Sequence, residues 1–278
     1  MVSFPQLSLC FLAVFLLSAC ATMGTANDPG ELARTLNEAI VAIPAEYYKG
    51  DAPSDFFSWG RMKNAKEELT KRVGEKKIPL VIYLHGCSGF GWSTNNDISF
   101  LLRNGYAVLA PNSFARKYKP TSCNPGTYTG VLHRGVLAFR LAEASYAHEA
   151  AKNLPWVDKR NIFIMGFSEG GLTTAQYGRG GLAGRIILGW TCNSVWPEHN
   201  GISGPRDEPI LAVVSSNDPW FTSPGSSGDC GSSMLFRRNA KSVVVNVKLH
   251  DITSLHEVQS LPEVQEKILQ FLGANRRP

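Results

Sequence analysis

The segment Gly166-Phe167-Ser168-Glu169-Gly170 constrains this chain more than any other. Asn161-Ile162-Phe163-Ile164-Met165 runs into it as a continuous apolar stretch of strand length. Gly171 and Leu172-Thr173-Thr174-Ala175-Gln176-Tyr177 follow, and can start a helix. A serine on so sharp a strand-to-helix turn has strained torsions and a hydroxyl raised above the sheet, and its neighbours must be glycine to avoid clashes. Ordinary turns also match G-x-S-x-G. The preceding strand and the third glycine set this one apart and mark Ser168 as a nucleophile.

A serine hydroxyl reacts only when a base takes its proton and a carboxylate orients that base. On a sheet of this kind the chain order is Ser, then Asp or Glu, then His. Ile210-Leu211-Ala212-Val213-Val214 reads as a buried strand, and the turn Ser215-Ser216-Asn217-Asp218-Pro219 follows it. Asp218 is therefore the candidate carboxylate. Asp207 precedes the strand and Asp229 lies deep in a Gly/Ser loop, so both fit less well. Only His250 and His256 follow Asp218. His250 comes directly after the apolar strand 243–249 and has little freedom to swing, whereas His256 lies further out, shortly before the helix that starts near Leu261-Pro262. His256 is the expected base.

A second signal lies upstream. The strand Ile78-Pro79-Leu80-Val81-Ile82-Tyr83-Leu84 ends in His85-Gly86-Cys87-Ser88-Gly89. Acyl transfer needs two backbone N–H groups aimed at the developing oxyanion. One belongs to the residue after the nucleophile, Glu169, and the other to a glycine-bearing turn of this sort. Cys87 is the first candidate for that donor and Ser88 the second.

With these pieces in place the chain resembles the α/β-hydrolase superfamily, and more narrowly its dienelactone-hydrolase-like group with a serine nucleophile. The resemblance rests on Leu84 to Gly89, Ala110-Pro111-Asn112-Ser113-Phe114-Ala115-Arg116, Pro155-Trp156-Val157-Asp158-Lys159-Arg160 and Gly166 to Gly171. Such relatives often carry Asp where this chain has Asn112, a departure that bears on substrate contacts and not on the triad. The resemblance implies an α/β fold, a mostly parallel sheet with helices on both faces and no sizeable cap domain. It implies a serine hydrolase that cleaves carboxylic esters through an acyl-enzyme without a cofactor or metal. Ester and amide substrates use the same machinery, so a peptidase or amidase is the alternative within enzymes. A non-catalytic envelope lipoprotein on the same scaffold is the alternative outside them.

The chain has 278 residues, 44% hydrophobic, enough for a large core, and a formal charge of +5 spread without interleaved aromatics, which gives nucleic-acid binding no support. No charged side chain occurs in the first twenty residues, and Leu7 to Ala19 is a nearly unbroken apolar run, short for a bilayer span but suited to a secretory signal. Leu17-Ser18-Ala19-Cys20 resembles the lipobox of bacterial lipoproteins, so residues 1–20 are expected to be removed and Cys20 to carry lipid, anchoring the protein in the cell envelope. Cleavage near Ala21 and simple secretion is the alternative. Beyond Cys10 and Cys20 stand Cys87, Cys123, Cys192 and Cys230, which allow three connectivities. In the strand order that the resemblance implies, the loops after the third and fourth strands are neighbours, as are those after the sixth and seventh. The implied pairs are Cys87–Cys123 and Cys192–Cys230. No C-x-x-C or H-x-x-x-H spacing suggests a metal site instead.

The rest of the chain alternates strand and helix. Residues 21–45 read as a tether with an initial helix or strand, 46–77 as charged and irregular, and 46–278 as one catalytic domain. Helices are expected near 96–104, 131–154 and 262–272, with strands at 106–110, 161–167, 185–190, 209–214 and 242–249. The 192–209 segment is too short for a helical cap, which leaves an open site edged by Trp92, Trp190, Trp196 and Trp220.

Overall fold

Ile78–Leu84 (β3) is buried along its whole length, and its alternate residues serve two different cores. Val81 and Tyr83 pack into one hydrophobic cluster and Leu80, Ile82 and Leu84 into another. The same split recurs in Val157–Phe167 (β5), where Phe163 and Met165 face one side and Ile162 and Ile164 the other. A strand whose two faces are both covered reads as an unbroken apolar run, and this is why both strands were visible as such in the sequence.

The protein, described by a computed structural model over residues 26–51, 57–58, 65–248 and 254–278, is built on one eight-stranded sheet. The other strands are Ile40–Ala42 (β1), Phe57–Ser58 (β2), Ala107–Ala110 (β4), Gly184–Leu188 (β6), Ile210–Ser215 (β7) and Ala240–Val245 (β8), in the order β2-β1-β4-β3-β5-β6-β7-β8. β1 pairs antiparallel with β2 and β4; every other pairing is parallel.

Helices cover both faces. Pro29–Asn37 (α1), Ala65–Val73 (α2) and Val136–Lys152 (α4) lie on one side, the last presenting Ala144, Ala147 and Ala151 to the sheet. Trp92–Arg103 (α3) and Pro262–Ala274 (α6) lie on the other, burying Ile98, Leu101, Val264, Ile268 and Leu272. Glu169–Gln176 (α5) leaves directly from β5. Between β6 and β7 the only helical element is the short turn Pro197–His199, so no large cap is present there.

Several boundaries differ from the sequence reading. The N-terminal element is both a helix and a strand, with Asp28 capping α1 at the N–H of Glu31 and Pro29 opening the helix. The stretch read as irregular contains α2, in which Leu69 and Val73 are buried among charged residues that leave no strong periodic signal. Helix α4 starts five residues later than expected, and Val131, where it was expected to begin, holds a positive φ of 50° that no α-helix includes. Cys20 and His250 lie outside the described residues.

Between β3 and β5 the strand order reverses direction, since β4 lies on one side of β3 and β5 on the other. Chains leaving the carboxyl ends of two such strands part to opposite faces and leave a crevice. The loop after β3 carries His85 to Gly89, and the loop after β5 carries Ser168.

Candidate active site

Ser168 occupies the crevice with φ 57° and ψ −118°, a conformation hostile to any side chain. Close packing holds it there. A Cβ on Gly166 would stand 2.0 Å from the carbonyl oxygen of Gly170, one on Gly170 would stand 1.9 Å from that of Leu84, and one on Gly171 would stand 2.5 Å from that of Leu188. The three glycines are thus required by the room they leave, with β3, β5 and β6 pressed against the turn. The N–H of Ser168 donates to Leu188 at 2.8 Å, which ties the turn to β6. Glu169 is the first residue of α5, so its N–H has no partner within that helix.

The turn after β3 is positioned by a histidine. His85 is fully buried, and its Nδ1–H donates to the carbonyl of its neighbour Gly86 at 2.7 Å while Nε2 accepts from the N–H of Ser113 at 3.2 Å. Burial, together with the positive charge of Arg140, holds its pKa well below the usual imidazole value, so the ring is neutral and can accept at Nε2. In a trans peptide the C=O and the following N–H point opposite ways. Holding the Gly86 carbonyl against the protein therefore turns the N–H of Cys87 outward.

Behind this turn is a charged network that the sequence did not advertise. Arg140 donates to the carbonyl of His85 and to Ser113 Oγ, both at 2.5 Å. Ser113 Oγ in turn bonds Glu143, which also pairs with Arg116 at 2.5 Å. Arg116, Arg140 and Glu143 are each no more than 5% exposed. The only sequence signal would have been Arg140 and Glu143 interrupting the apolar face of α4. Asn112 plays a local part, its side chain accepting from the N–H of Phe114.

Asp218 and His256 meet on the other side. Asp218 is buried at the mouth of β7, its Oδ2 accepting from His256 Nδ1 at 2.6 Å and its Oδ1 accepting from the N–H of Trp220 at 3.0 Å. With both oxygens engaged, the carboxylate cannot rotate. Since Nδ1 carries the proton, Nε2 is left as an acceptor; it is buried and has no hydrogen-bond partner among the described residues. Three aromatic rings enclose the imidazole: Phe167 at 4.8 Å, Trp220 stacked at 5.3 Å and Phe221 at 5.8 Å between centroids. Asp229 instead accepts from Ser242 Oγ at 3.0 Å, and Asp207 is exposed.

Ser168 and His256 line one cavity of about 210 Å³, and Ser168 also lines a second of about 430 Å³. Trp190 and Trp220 border the larger space; Trp92 projects into solvent, and Trp196 lies under the Arg134 guanidinium. The disulfides join Cys87 to Cys123 and Cys192 to Cys230, so each pins a loop that walls the larger cavity. Non-glycine residues with positive φ gather at the same place: Tyr128, Val131 and Ser168 line that cavity and Cys192 adjoins it. Among the described residues no group of three or more His, Cys, Asp or Glu is placed to hold a metal ion.

Residues 67–229 match the dienelactone hydrolase family. The chain belongs to that family. No curated protein matches the sequence. Among solved structures, a candidate dienelactone hydrolase of Klebsiella pneumoniae is 16% identical with a TM-score of 0.55, over 85% of this chain and 99% of its own. The similarity shows a shared fold. A dienelactone hydrolase-like promiscuous phosphotriesterase from metagenomic libraries is 14% identical with a TM-score of 0.49, over 72% of this chain and 87% of its own. A hyperthermophilic esterase of the archaeon Pyrobaculum calidifontis is 14% identical with a TM-score of 0.45, over 95% of this chain and 91% of its own. The membership makes this chain one of a family of hydrolases and leaves the chemistry of its own site to be argued from its residues.

Proposed function

We propose that the protein is a serine hydrolase that cleaves carboxylic esters through an acyl-enzyme. One observation carries the reading. His256 is oriented by a 2.6 Å bond to Asp218, keeps Nε2 buried and unpartnered, and shares a cavity with Ser168.

In this mechanism Nε2 takes the proton of Ser168 as Oγ attacks the ester carbonyl, and Asp218 stabilises the imidazolium that forms. The carbonyl oxygen becomes an oxyanion facing the N–H groups of Cys87 and Glu169. His256 then gives its proton to the departing alcohol, leaving an acyl-Ser168 ester. Water, deprotonated by the same nitrogen, attacks that ester, and the acid leaves as Ser168 recovers its proton.

The test is covalent labelling by a fluorophosphonate, together with p-nitrophenyl acetate hydrolysis. Ser168→Ala should abolish labelling and lower turnover by on the order of 10⁴- to 10⁶-fold. His256→Ala should approach that loss, and His250→Ala should keep most activity. Unchanged labelling of Ser168→Ala would end the reading, and the reverse order of the two histidine variants would move the base to His250.

The two disulfides favour an oxidising compartment and hence export. We extend this to a lipid anchor at Cys20 on the sequence before it. The expected outcome is that Cys20→Ala leaves the envelope fraction and loses its acyl chains in mass spectrometry. A wild-type mature protein without lipid would point to plain secretion.

A further inference from the structure

Ser168 stands where two cavities meet, and the two differ in chemistry. The smaller, about 210 Å³, includes His256 with Gly86, Ser88, Ser93 and Ser254. The larger, about 430 Å³, shares Ser168, Cys87, Tyr128 and Trp220 with it and adds Glu169, but His256 is absent from its lining.

If the triad acts as proposed above, this asymmetry assigns the halves of the substrate. The general acid must reach the leaving oxygen, so the alcohol departs on the His256 side. The carbonyl oxygen is directed at the N–H groups of Cys87, which borders both spaces, and Glu169, which borders the larger. The remaining substituent, the acyl group, then extends into the larger cavity. That cavity is of a size able to enclose a whole small ligand, and an acetyl methyl would leave it nearly empty.

The walls give the class of acid. Leu172, Val131, Trp190, Trp220 and Phe221 supply an apolar and aromatic surface. Apart from Glu169 the polar side chains are neutral hydroxyls and one amide, among them Thr129, Ser194, Ser223, Ser226 and Asn193. Among the described residues no Lys, Arg, His or Asp lines the space, and the Glu169 carboxylate stands 3.8 Å from Arg140 Nε. Rings prefer edge or offset contact with other rings, whereas a carboxylate brought here would lose water and meet no cation. We infer that the physiological acyl group is bulky, aromatic and uncharged, an arylalkanoic or arylalkenoic acid whose ring bears at most neutral oxygen substituents.

The experiment holds the alcohol constant. The kcat/KM for the p-nitrophenyl esters of acetate, 3-phenylpropanoate and 3-(4-carboxyphenyl)propanoate is compared on the full-length protein, each rate taken as the part lost in Ser168→Ala. The phenylpropanoate should exceed the acetate by at least about tenfold, and the added carboxylate should lower the rate by at least about tenfold. Val195→Trp then adds bulk to the wall of the larger cavity at a residue that is 68% exposed. It should reduce the phenylpropanoate-to-acetate ratio at least about fivefold while the melting curve shows a folded protein. Wild-type preference for acetate, or equal use of the charged acid, overturns the inference with the triad intact. A ratio unmoved by Val195→Trp overturns the placement of the acyl group. Loss of every Ser168-dependent rate overturns the triad reading and this inference together.

Discussion

The two sides of the site are held by different means. Around Ser168 the backbone does the holding: Gly166, Gly170 and Gly171 let β3, β5 and β6 close on the turn with no space for a methyl group. Around His256 the side chains do it: Asp218 bonds the ring, and Phe167, Trp220 and Phe221 enclose it. The segment after His256 buries Val258 and Leu261 in the core and reaches α3 through Gln259, 3.5 Å from Asp97. A backbone-packed turn should be intolerant of added volume, whereas a side-chain-held imidazole should be open to substitution within a folded protein.

The sharpest break is Gly170→Ala. Its new Cβ would stand 1.9 Å from the Leu84 carbonyl, so β3 and α5 must separate. A loss of more than about 3 kcal/mol in denaturant unfolding is expected, with activity lost alongside. Near-native stability in that variant would show that the elbow has slack.

His256→Gln should separate the two properties. The amide keeps a donor for Asp218 but cannot serve as the base, so turnover should fall by on the order of 10⁴-fold while unfolding stays cooperative with a midpoint near wild type. A variant that fails to fold would mean that the ring is structural as well as catalytic.

His85→Leu probes the turn opposite. Without its N–H to the Gly86 carbonyl the Cys87 peptide is free to rotate. A fall in kcat of about 10²-fold with little change in KM is the expected mark of a weakened oxyanion donor. A rise in KM at constant kcat would instead place His85 in ground-state binding.

The effect with least bearing on turnover concerns the Asp97–Gln259 contact. Asp97 accepts from Tyr83 at 2.6 Å and faces Glu257, and burial pushes its pKa up to about 7. The folded protein therefore holds a proton on Asp97 that the unfolded chain releases near pH 4. This contribution is fully present below the unfolded pKa and is lost as pH rises to about 7. Relative to Asp97→Asn, wild type should become progressively less stable from pH 4 to 7 and run parallel above that. Parallel curves over the whole interval would mean an ordinary carboxylate.

The difference between the two sides also explains what could be read in advance. Local patterns carried the elbow, the His85 turn and the strand leading to Asp218, because each depends on a short run of glycines and apolar residues around one position. The network of Arg116, Arg140 and Glu143 depends on α4 crossing behind β3 and has no short-range signature. Helix α2 was missed for the related reason that a few apolar residues such as Leu69 and Val73 suffice once the sheet is there to receive them.

The sequence by itself determined the alternation of strand and helix, the order of Ser168, Asp218 and His256, and the positions of the cysteines, because torsional strain, strand burial and turn chemistry act over a few residues. Only the tertiary structure decided which aspartate meets His256, how the Gly86–Cys87 peptide is turned, and that Ser168 opens onto two cavities of unlike lining. Those outcomes depend on strand order and loop packing, which bring together residues as far apart as Cys87, Tyr128, Trp190 and Trp220, and no local preference encodes such distances.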